Sequence, residues 1–269
     1  MPELPEVETT ARGIAPHVTG RRVTAMTVRE RRLRWPIPAG IEAAVRGQTI
    51  HQVQRRAKYL LFALDQGHLI LHLGMSGSLR MVAPGAAPEK HDHYDLTVDG
   101  RVLRYRDPRR FGMCDYTTAP PERHRLLASL GPEPFDPAFT GEYLHARSRG
   151  RRAPVKTFLM DARTVTGVGN IYANEALFRA RIRPTRPAGS IALARYRTLA
   201  GHVVDVLDEA IAAGGTTLRD FVSDTGRPGY FRARLDVYDR AGEPCPCGRG
   251  PIRHRVIGQR ATYYCECQR

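Results

Sequence analysis

The feature that most limits the architecture of this chain is a change of hydrophobic period part-way along it. Up to about residue 130 the apolar positions follow a strand-like rhythm in runs bounded by Gly, Asp and Pro. Val23 to Arg29 alternates. Ile50 to Leu64 reads as a longer strand with Gln-Arg-Arg-Ala-Lys in its middle, Asp65-Gln66-Gly67 turns it, and His68 to Val82 returns with breaks at Gly74 and Gly77. Asp95 to Val98, then Asp99-Gly100, then Arg101 to Tyr105 form the clearest hairpin signature. Beyond residue 154 the spacing becomes helical. Phe158 to Met160 and Asn170 to Ala180 flank the turn Thr166-Gly-Val-Gly-Asn170. Ile191 to Ala213 places Leu193, Tyr196, Leu199, Val203, Val206, Leu207, Ala210 and Ile211 on one face and stops at Gly214-Gly215. Such a chain separates into a β-rich part and a helical part, the α+β class. We assign 1–130 to an N-terminal β-sandwich with one leading helix and 131–154, spaced with Pro and Gly, to a linker. Residues 155–234 then form a helical domain and 235–269 a Cys-bounded hairpin.

The leading helix opens with Met1-Pro2-Glu3-Leu4-Pro5-Glu6-Val7-Glu8, an acidic start in a strongly basic chain. One reading is a helix cap: Pro in the first turn, acids at the positive end of the dipole, and Leu4, Val7, Ala11 and Ile14 as the buried stripe. A second reading is chemical. A small second residue such as Pro permits removal of the initiator Met, which exposes a secondary amine of pKa ~8, partly uncharged near neutral pH. Such an amine condensing with an aldehyde-level carbon gives an iminium, an electron sink, and Glu3 is placed to move a proton beside it. The two readings are compatible.

Charge points to the partner. Lys and Arg number 42 against 27 acids, for a net charge of +15, a balance that favours a polyanion and nucleic acid first of all. Only Lys58, Lys90 and Lys156 are lysines. In a chain that writes Arg almost everywhere, the few Lys mark positions where Arg cannot serve, because a partly buried Lys can titrate. No apolar run reaches the ~18 residues of a membrane span, and the start has no secretory h-region, so neither is expected. The five Cys do not make a disulfide framework for 269 residues, and a reducing cytoplasm is the expected compartment.

Four of the five Cys are Cys245-Pro-Cys247 and Cys265-Glu-Cys267, two pairs separated by a basic hairpin, which is the donor set of a tetrahedral structural zinc. Each pair encloses one residue where zinc knuckles usually enclose two to four, so a hairpin with reduced thiols held by Ile252, Val256 and Tyr263 is the competing reading. His91 and His93 with Asp92 and Asp95 fit solvent or phosphate contacts better than a metal, since nothing else completes a site. Gly167-Val168-Gly169-Asn170 opening a helix can hold a phosphate on its amides or simply connect two helices. Asp107-Pro-Arg-Arg-Phe111 sets two Arg beside an aromatic, either a wedge for a duplex or a solvated turn. Met75, between Gly74 and Gly77, and Gln259-Arg260 near a hairpin tip carry the same ambiguity between contact and plain packing or solvation.

Taken together these stretches resemble bacterial formamidopyrimidine-DNA glycosylase nearly end to end. The resemblance is carried by the opening Met1 to Thr9, Gln54-Arg-Arg-Ala-Lys58-Tyr-Leu-Leu, His72-Leu-Gly-Met-Ser-Gly-Ser-Leu79 and Lys90-His-Asp-His93. Asp107-Pro-Arg-Arg-Phe-Gly112, Gly167-Val-Gly-Asn-Ile-Tyr172, Gly214-Gly-Thr-Thr-Leu218, Pro228-Gly-Tyr-Phe231 and Gln259-Arg-Ala-Thr-Tyr-Tyr-Cys265 complete it. The family implies a β-sandwich, a helix–two-turns–helix domain and a zinc hairpin. It also implies a monomer acting on duplex DNA that carries oxidised purines or abasic sites. By position, the resemblance makes Pro2 the nucleophile and Glu3 the proton donor that opens the sugar. It makes Lys58 the proton donor of β-elimination and Arg260 that of δ-elimination. His91, Arg109, Arg151 and Asn170 fall on DNA-contacting positions, although the family often has Lys where Arg151 stands. Met75, Arg109 and Phe111 fall on the residues that fill the gap of an extruded base, and Thr216 to Tyr230 on a loop over that base. Cys245, Cys247, Cys265 and Cys267 stand at the zinc ligands, each pair one residue shorter than the family's spacing. Two alternatives stay open: an endonuclease VIII type enzyme for oxidised pyrimidines, and a DNA-binding module without catalysis.

Overall fold

The structure, a computed structural model, describes residues 2–215 and 234–269. These fold as two compact units, 2–128 with 213–215 and 129–212 with 234–269.

The first unit is a β-sandwich behind one helix. Helix α1 (Leu4–Val18) is followed by β1 (Arg21–Val28), a short α2 (Ile41–Val45), β2 (Thr49–Ile50), β3 (Gln52–Arg56) and β4 (Tyr59–Leu64). Then come β5 (Gly67–His72), β6 (Ser78–Val82), β7 (Asp92–Val98), β8 (Arg101–Arg106) and β9 (Met113–Thr117). One sheet has the order β2-β1-β7-β8-β6 and the other β3-β4-β5-β9, all pairs antiparallel. The strand rhythm makes this possible: Val23, Leu96, Leu103 and Tyr105 of one sheet and Leu60, Phe62, Leu69 and Leu71 of the other are buried in one core with Val7, Ile14 and Val18 of α1. Each such side chain contributes ~1.5–3 kcal/mol by leaving water.

Two differences from the sequence reading matter for function. The segment Ile50 to Leu64 is not one strand. It bends back at Ala57, whose φ of 55° is left-handed, so β3 and β4 pair as a hairpin with Arg56 opposite Tyr59. Alternation alone does not reveal such a turn, because the residues on either side keep their rhythm. His68 to Val82 likewise divides between the two sheets, β5 in one and β6 in the other, so Leu73 to Gly77 crosses from sheet to sheet.

The second unit contains α3 (Gly141–Ser148), α4 (Val155–Met160), α5 (Asn170–Arg179) and α6 (Leu193–Ala212), then the hairpin β10 (Arg253–Ile257) and β11 (Arg260–Tyr264). The stretch 131–154, read as a linker, carries α3. Its N-cap Thr140 accepts a hydrogen bond from Tyr143 N–H, and Leu144 is fully buried. The amphipathic α6 buries Tyr196, Leu199, Val203, Val206, Leu207 and Ala210 as the spacing requires. Among the described residues no helix is long and apolar enough to cross a membrane.

One buried carboxylate fastens the entry to the Cys-bearing segment. Glu175 on α5, 1% exposed, accepts backbone N–H groups from Asp236 at 2.8 Å, Val237 at 3.0 Å and Tyr238 at 2.8 Å. Burial pushes its carboxyl group above the usual range, against the opposing pull of those three amides. Glu175→Ala strands three buried donors and is expected to cost about 3 kcal/mol or more in denaturant unfolding. A loss within the scatter of surface substitutions, about 0.5 kcal/mol, would contradict this account.

Candidate functional site

The chain start is held rather than frayed. Pro2 is buried and Glu3 is 2% exposed. Glu3 is the N-cap of α1, and a reciprocal capping box forms. The Glu6 carboxylate accepts the Glu3 N–H at 2.8 Å, and the Glu3 carboxylate accepts the backbone N–H of Glu6. The cap reading of the opening residues is therefore met, and it also gives what a reacting terminal amine needs, a first turn fixed in place. Met1, whose removal that chemistry requires, lies outside the described residues, as does the expected loop Thr216 to Tyr230.

Lys58 sits in the β3–β4 turn, and the placement of that turn is tied to α1. Glu8 accepts a hydrogen bond from Arg55 Nε at 2.8 Å, and Arg55 Nη1 donates to the carbonyl of Ala57 at 3.1 Å. The left-handed residue before Lys58 is thus clamped by a guanidinium that is itself fixed to the leading helix. Opposite, His72 pairs with Tyr59 across β4 and β5, their rings 4.9 Å apart. Desolvation, with the nearby charges of Lys58 and Arg34, lowers His72 to about 4, so its ring is neutral at physiological pH. In that form Nδ1 accepts the Gly74 N–H at 2.9 Å, leaving Nε2 to carry the proton.

Two loops present Met75, Arg109 and Phe111, and one buried side chain organises both. Asp107 is fully buried. Its Oδ1 accepts Ser76 Oγ at 2.7 Å and Arg109 N–H at 3.2 Å; its Oδ2 accepts Gly112 N–H at 2.8 Å and Tyr105 O–H at 3.2 Å. The Ser76 bond holds the Met75 bend, and the amide bonds hold the turn that carries Arg109 and Phe111. The bend and the turn touch backbone to backbone. Gly74 has φ 67°, and a Cβ there would lie 2.4 Å from Gly112 N. Phe111 is 42% exposed, and the Arg109 guanidinium stands 5.0 Å from its ring centre, so an exposed aromatic ring carries a cation over it. His91 takes a φ of 75° beside this turn, and its backbone carbonyl accepts Asp107 N–H at 3.1 Å. His93 is buried against the Asp107 carbonyl at 2.7 Å. Asp95 is engaged by Arg29 and Arg104, and Asp92 lies 3.6 Å from Arg80 and 3.5 Å from Arg104, so these acids serve ion pairs rather than a metal.

In the second unit Asn170 opens α5. Its Oδ1 is shielded from solvent and has no hydrogen bond among the described residues. Arg151 is exposed just after α3. Arg260 is exposed at the start of β11, directly after Gly258 and Gln259, whose φ values of 55° and 59° make the tight reversal a two-residue hairpin requires. The strand behind Arg260 is bolted down at three successive residues. Lys156 on α4, wholly buried, donates to the Ala261 carbonyl and to Thr262 Oγ1, both at 2.7 Å; Asn174 on α5 accepts the Tyr263 N–H at 2.9 Å. The same Asn174 donates to the Asn170 carbonyl at 2.5 Å, so Asn170 and the Arg260 strand share one anchor. The scarcity of Lys marked Lys156 in the sequence. Nothing marked Asn174, Glu175 or Asp107 as fasteners, since each reads as an ordinary polar residue.

The four Cys converge. Cys245, Cys247, Cys265 and Cys267 place their sulfurs within 4.8 Å of one another, the only such metal-ligating group among the described residues. Cys245 and Cys247 sulfurs are 3.1 Å apart, and Cys247 and Cys265 are 3.3 Å apart. A tetrahedral ion with ~2.3 Å bonds separates its sulfurs by ~3.8 Å, so a small outward movement admits one, and the donor set fits a thiophilic metal despite the short spacing. Gly248 and Gly250, with φ of 73° and 109°, close the first knuckle, and Gly248 N–H donates to the Cys245 carbonyl at 2.9 Å. Burial opposes ionisation of Cys247, but hydrogen bonds from Cys245, the Arg249 backbone and Cys265 overcome it and pull the thiol down to about 7.

The family model for the formamidopyrimidine-DNA glycosylase N-terminal domain matches residues 1–114, and that for the formamidopyrimidine-DNA glycosylase H2TH domain matches residues 130–222. The chain belongs to the formamidopyrimidine-DNA glycosylase family. It is 64% identical over 278 residues to the formamidopyrimidine-DNA glycosylase of Alkalilimnicola ehrlichii, covering 100% of both chains. The MutM (Fpg) protein of Thermus thermophilus superposes with a TM-score of 0.90 at 40% identity, over 99% of this chain and 98% of that one. The Lactococcus lactis Fpg (MutM), solved with DNA containing N7-benzyl-Fapy-dG, superposes with a TM-score of 0.91 at 30% identity over 100% of each chain. Family membership thus agrees with the resemblance read from the motifs and with the α+β architecture.

Asp107→Ala removes acceptors from Ser76, Tyr105 and two backbone amides, and is expected to cost about 3–5 kcal/mol in chemical unfolding. A destabilisation below about 1 kcal/mol would show that the two loops are held by something else.

Proposed function

We propose that the protein excises oxidised purines, 8-oxoguanine and formamidopyrimidines, from duplex DNA and then cuts the strand at the resulting sugar. The observation that carries this reading is the chain start: a buried Pro2 and Glu3 locked by a capping box at the head of α1, in a chain of this family. The glycosylases of Thermus and Lactococcus share the fold, and the Lactococcus protein was solved on DNA with a ring-opened purine.

In this reading the Pro2 nitrogen, freed of Met1 and uncharged, attacks C1′ of the damaged nucleotide. The bond from C1′ to the base breaks, and the base leaves with a proton. Glu3 protonates the ring oxygen, the sugar opens, and C1′ becomes an iminium carbon bonded to the proline nitrogen. The iminium draws electrons from C2′, so a proton is lost there and the 3′ phosphate departs. Lys58 supplies the proton of this β-elimination, and Arg260 that of the following δ-elimination, in which the 5′ phosphate departs. Met75, Arg109 and Phe111 fill the space of the extruded base, with Arg109 toward the orphan cytosine. His91, Arg151, Asn170 and Arg260 grip phosphates, which position the duplex without reading its sequence. The Asn170 amide, still short of a partner at Oδ1 among the described residues, is consistent with that task. Cys245, Cys247, Cys265 and Cys267 would hold one structural zinc, which braces the hairpin and takes no part in the reaction.

Borohydride trapping on a duplex with 8-oxoguanine opposite cytosine tests the chemistry. A covalent adduct on Pro2 is expected, weakened but present in Pro2→Gly and absent when Met1 is retained. A crosslink on a lysine, or a strong preference for thymine glycol, would overturn the mechanism or the substrate class respectively. Native mass spectrometry is expected to find one zinc per chain, lost in Cys247→Ser, and a metal-free yet fully active protein would refute the zinc assignment.

A further inference from the structure

The one tryptophan of the chain, Trp35, lies within the first unit between two arginines. The Arg34 guanidinium carbon is 4.9 Å from its ring centre and that of Arg125 is 5.3 Å away. Both Arg are exposed and Trp35 is half-buried. Six other arginines of this unit, Arg29, Arg31, Arg32, Arg55, Arg104 and Arg106, each meet a carboxylate. Neither Arg34 nor Arg125 has a side-chain hydrogen bond or an ion pair among the described residues. Two guanidiniums sharing one ring repel each other, and the ring quadrupole offsets this only by ~0.5–1 kcal/mol at an exposed site. Stacking fixes the planes of the guanidiniums while spending none of their N–H donors, which suits bidentate recognition of phosphate.

The surroundings say which phosphate. Tyr59 feels the charges of both Arg34 and Arg125, and its ring packs on His72, beside Lys58. Arg34 N–H donates to the Gly112 carbonyl at 3.2 Å, which ties this segment to the loop bearing Arg109 and Phe111. The positive charges therefore run from Lys58 past the neutral His72 to Arg34 and Arg125, along the side of the loop bearing Arg109 and Phe111, as a strand backbone would run. We propose that Arg34, Trp35 and Arg125 form a seat for a DNA backbone phosphate outside the reacting nucleotide. The proposal rests on the DNA reading given above.

The test uses the full-length protein and a labelled duplex with a tetrahydrofuran abasic analogue. Anisotropy titrations between about 50 and about 200 mM salt give the slope of log affinity against log salt, about 0.9 per phosphate neutralised. Arg34→Gln with Arg125→Gln is expected to lower the magnitude of that slope by about 1 or more. Arg34→Lys with Arg125→Lys is expected to retain it, since each Lys still neutralises a phosphate. Emission from Trp35, the sole tryptophan, is expected to change as the duplex binds. A Gln variant with the wild-type slope, a Lys variant that loses as much slope as the Gln variant, or unchanged Trp35 emission on duplex binding would each overturn the seat. Failure of the wild-type protein to bind the duplex at all would instead sink the DNA reading, so the two failures are distinguishable. Should the Gln variant not fold, the Lys variant and the Trp35 emission still decide the matter.

Discussion

A chain terminus is the part of a protein hardest to hold still, because it is tethered on one side only and fixing each of its residues costs ~1–2 kcal/mol in conformational entropy. The reciprocal bonds between Glu3 and Glu6 meet that cost locally. The stripe Val7, Ala11, Ile14 and Val18, buried in the core with both sheets, then makes the helix behind it rigid. The proposed Pro2 nucleophile would need such a base, since an attacking atom misplaced by an ångström forfeits much of its advantage. The Glu8–Arg55–Ala57 chain of bonds extends the same base to the Lys58 turn. The leading helix is thus the reference that fixes both Pro2 and the Lys58 turn in place.

Elsewhere the backbones that carry the exposed candidate residues are held by buried polar side chains, each serving several partners. Asp107 governs two loops, Glu175 three amides, and Asn174 both a helix start and a strand. A loop supported by apolar packing alone can slide, because the hydrophobic effect has no direction. A carboxylate with four donors around it cannot shift without leaving one unsatisfied, which costs ~1–3 kcal/mol. Direction is what the proposed wedge and phosphate clamp would need, and Arg109, Phe111 and Arg260 stand exposed on backbones held in this way.

The sequence made legible whatever depends on period or on local turn chemistry. The sandwich, the hairpin at Asp99-Gly100, the long α6 and the convergence of the four Cys belong to this class. The break at Ala57 was hidden, because left-handed backbone at a non-glycine residue leaves no mark in composition. The helix within 131–154 was hidden because its eight residues carry only one fully buried aliphatic, Leu144, and Pro and Gly flank them. The distant partners, Ser76 for Asp107, Ala261 and Thr262 for Lys156 and Tyr263 for Asn174, lie between 31 and 106 positions away along the chain, and local pattern says nothing about such pairs. Motifs named the candidate residues, whereas the groups that hold their backbones needed coordinates.

The short Cys spacing shows how these layers combine. A knuckle one residue tighter than usual loses some freedom to present both sulfurs at ideal angles, and glycines at 248 and 250 with left-handed backbone recover part of it. On the opposite side Gln268, 1% exposed, accepts the Cys265 N–H at 2.8 Å and donates to the Ile182 carbonyl at 2.9 Å, anchoring the second pair to the loop after α5. Lys156 and Asn174 hold the strand from Ala261 to Tyr263 independently of any ion. The hairpin is therefore fastened at both ends: by side chains near Arg260, and by thiols with Gln268 at its base. A metal at the base would stiffen the hairpin, while the side-chain bonds near the tip hold the strand that begins at Arg260, so an imperfect chelate would be tolerable as long as α4 and α5 keep their grip.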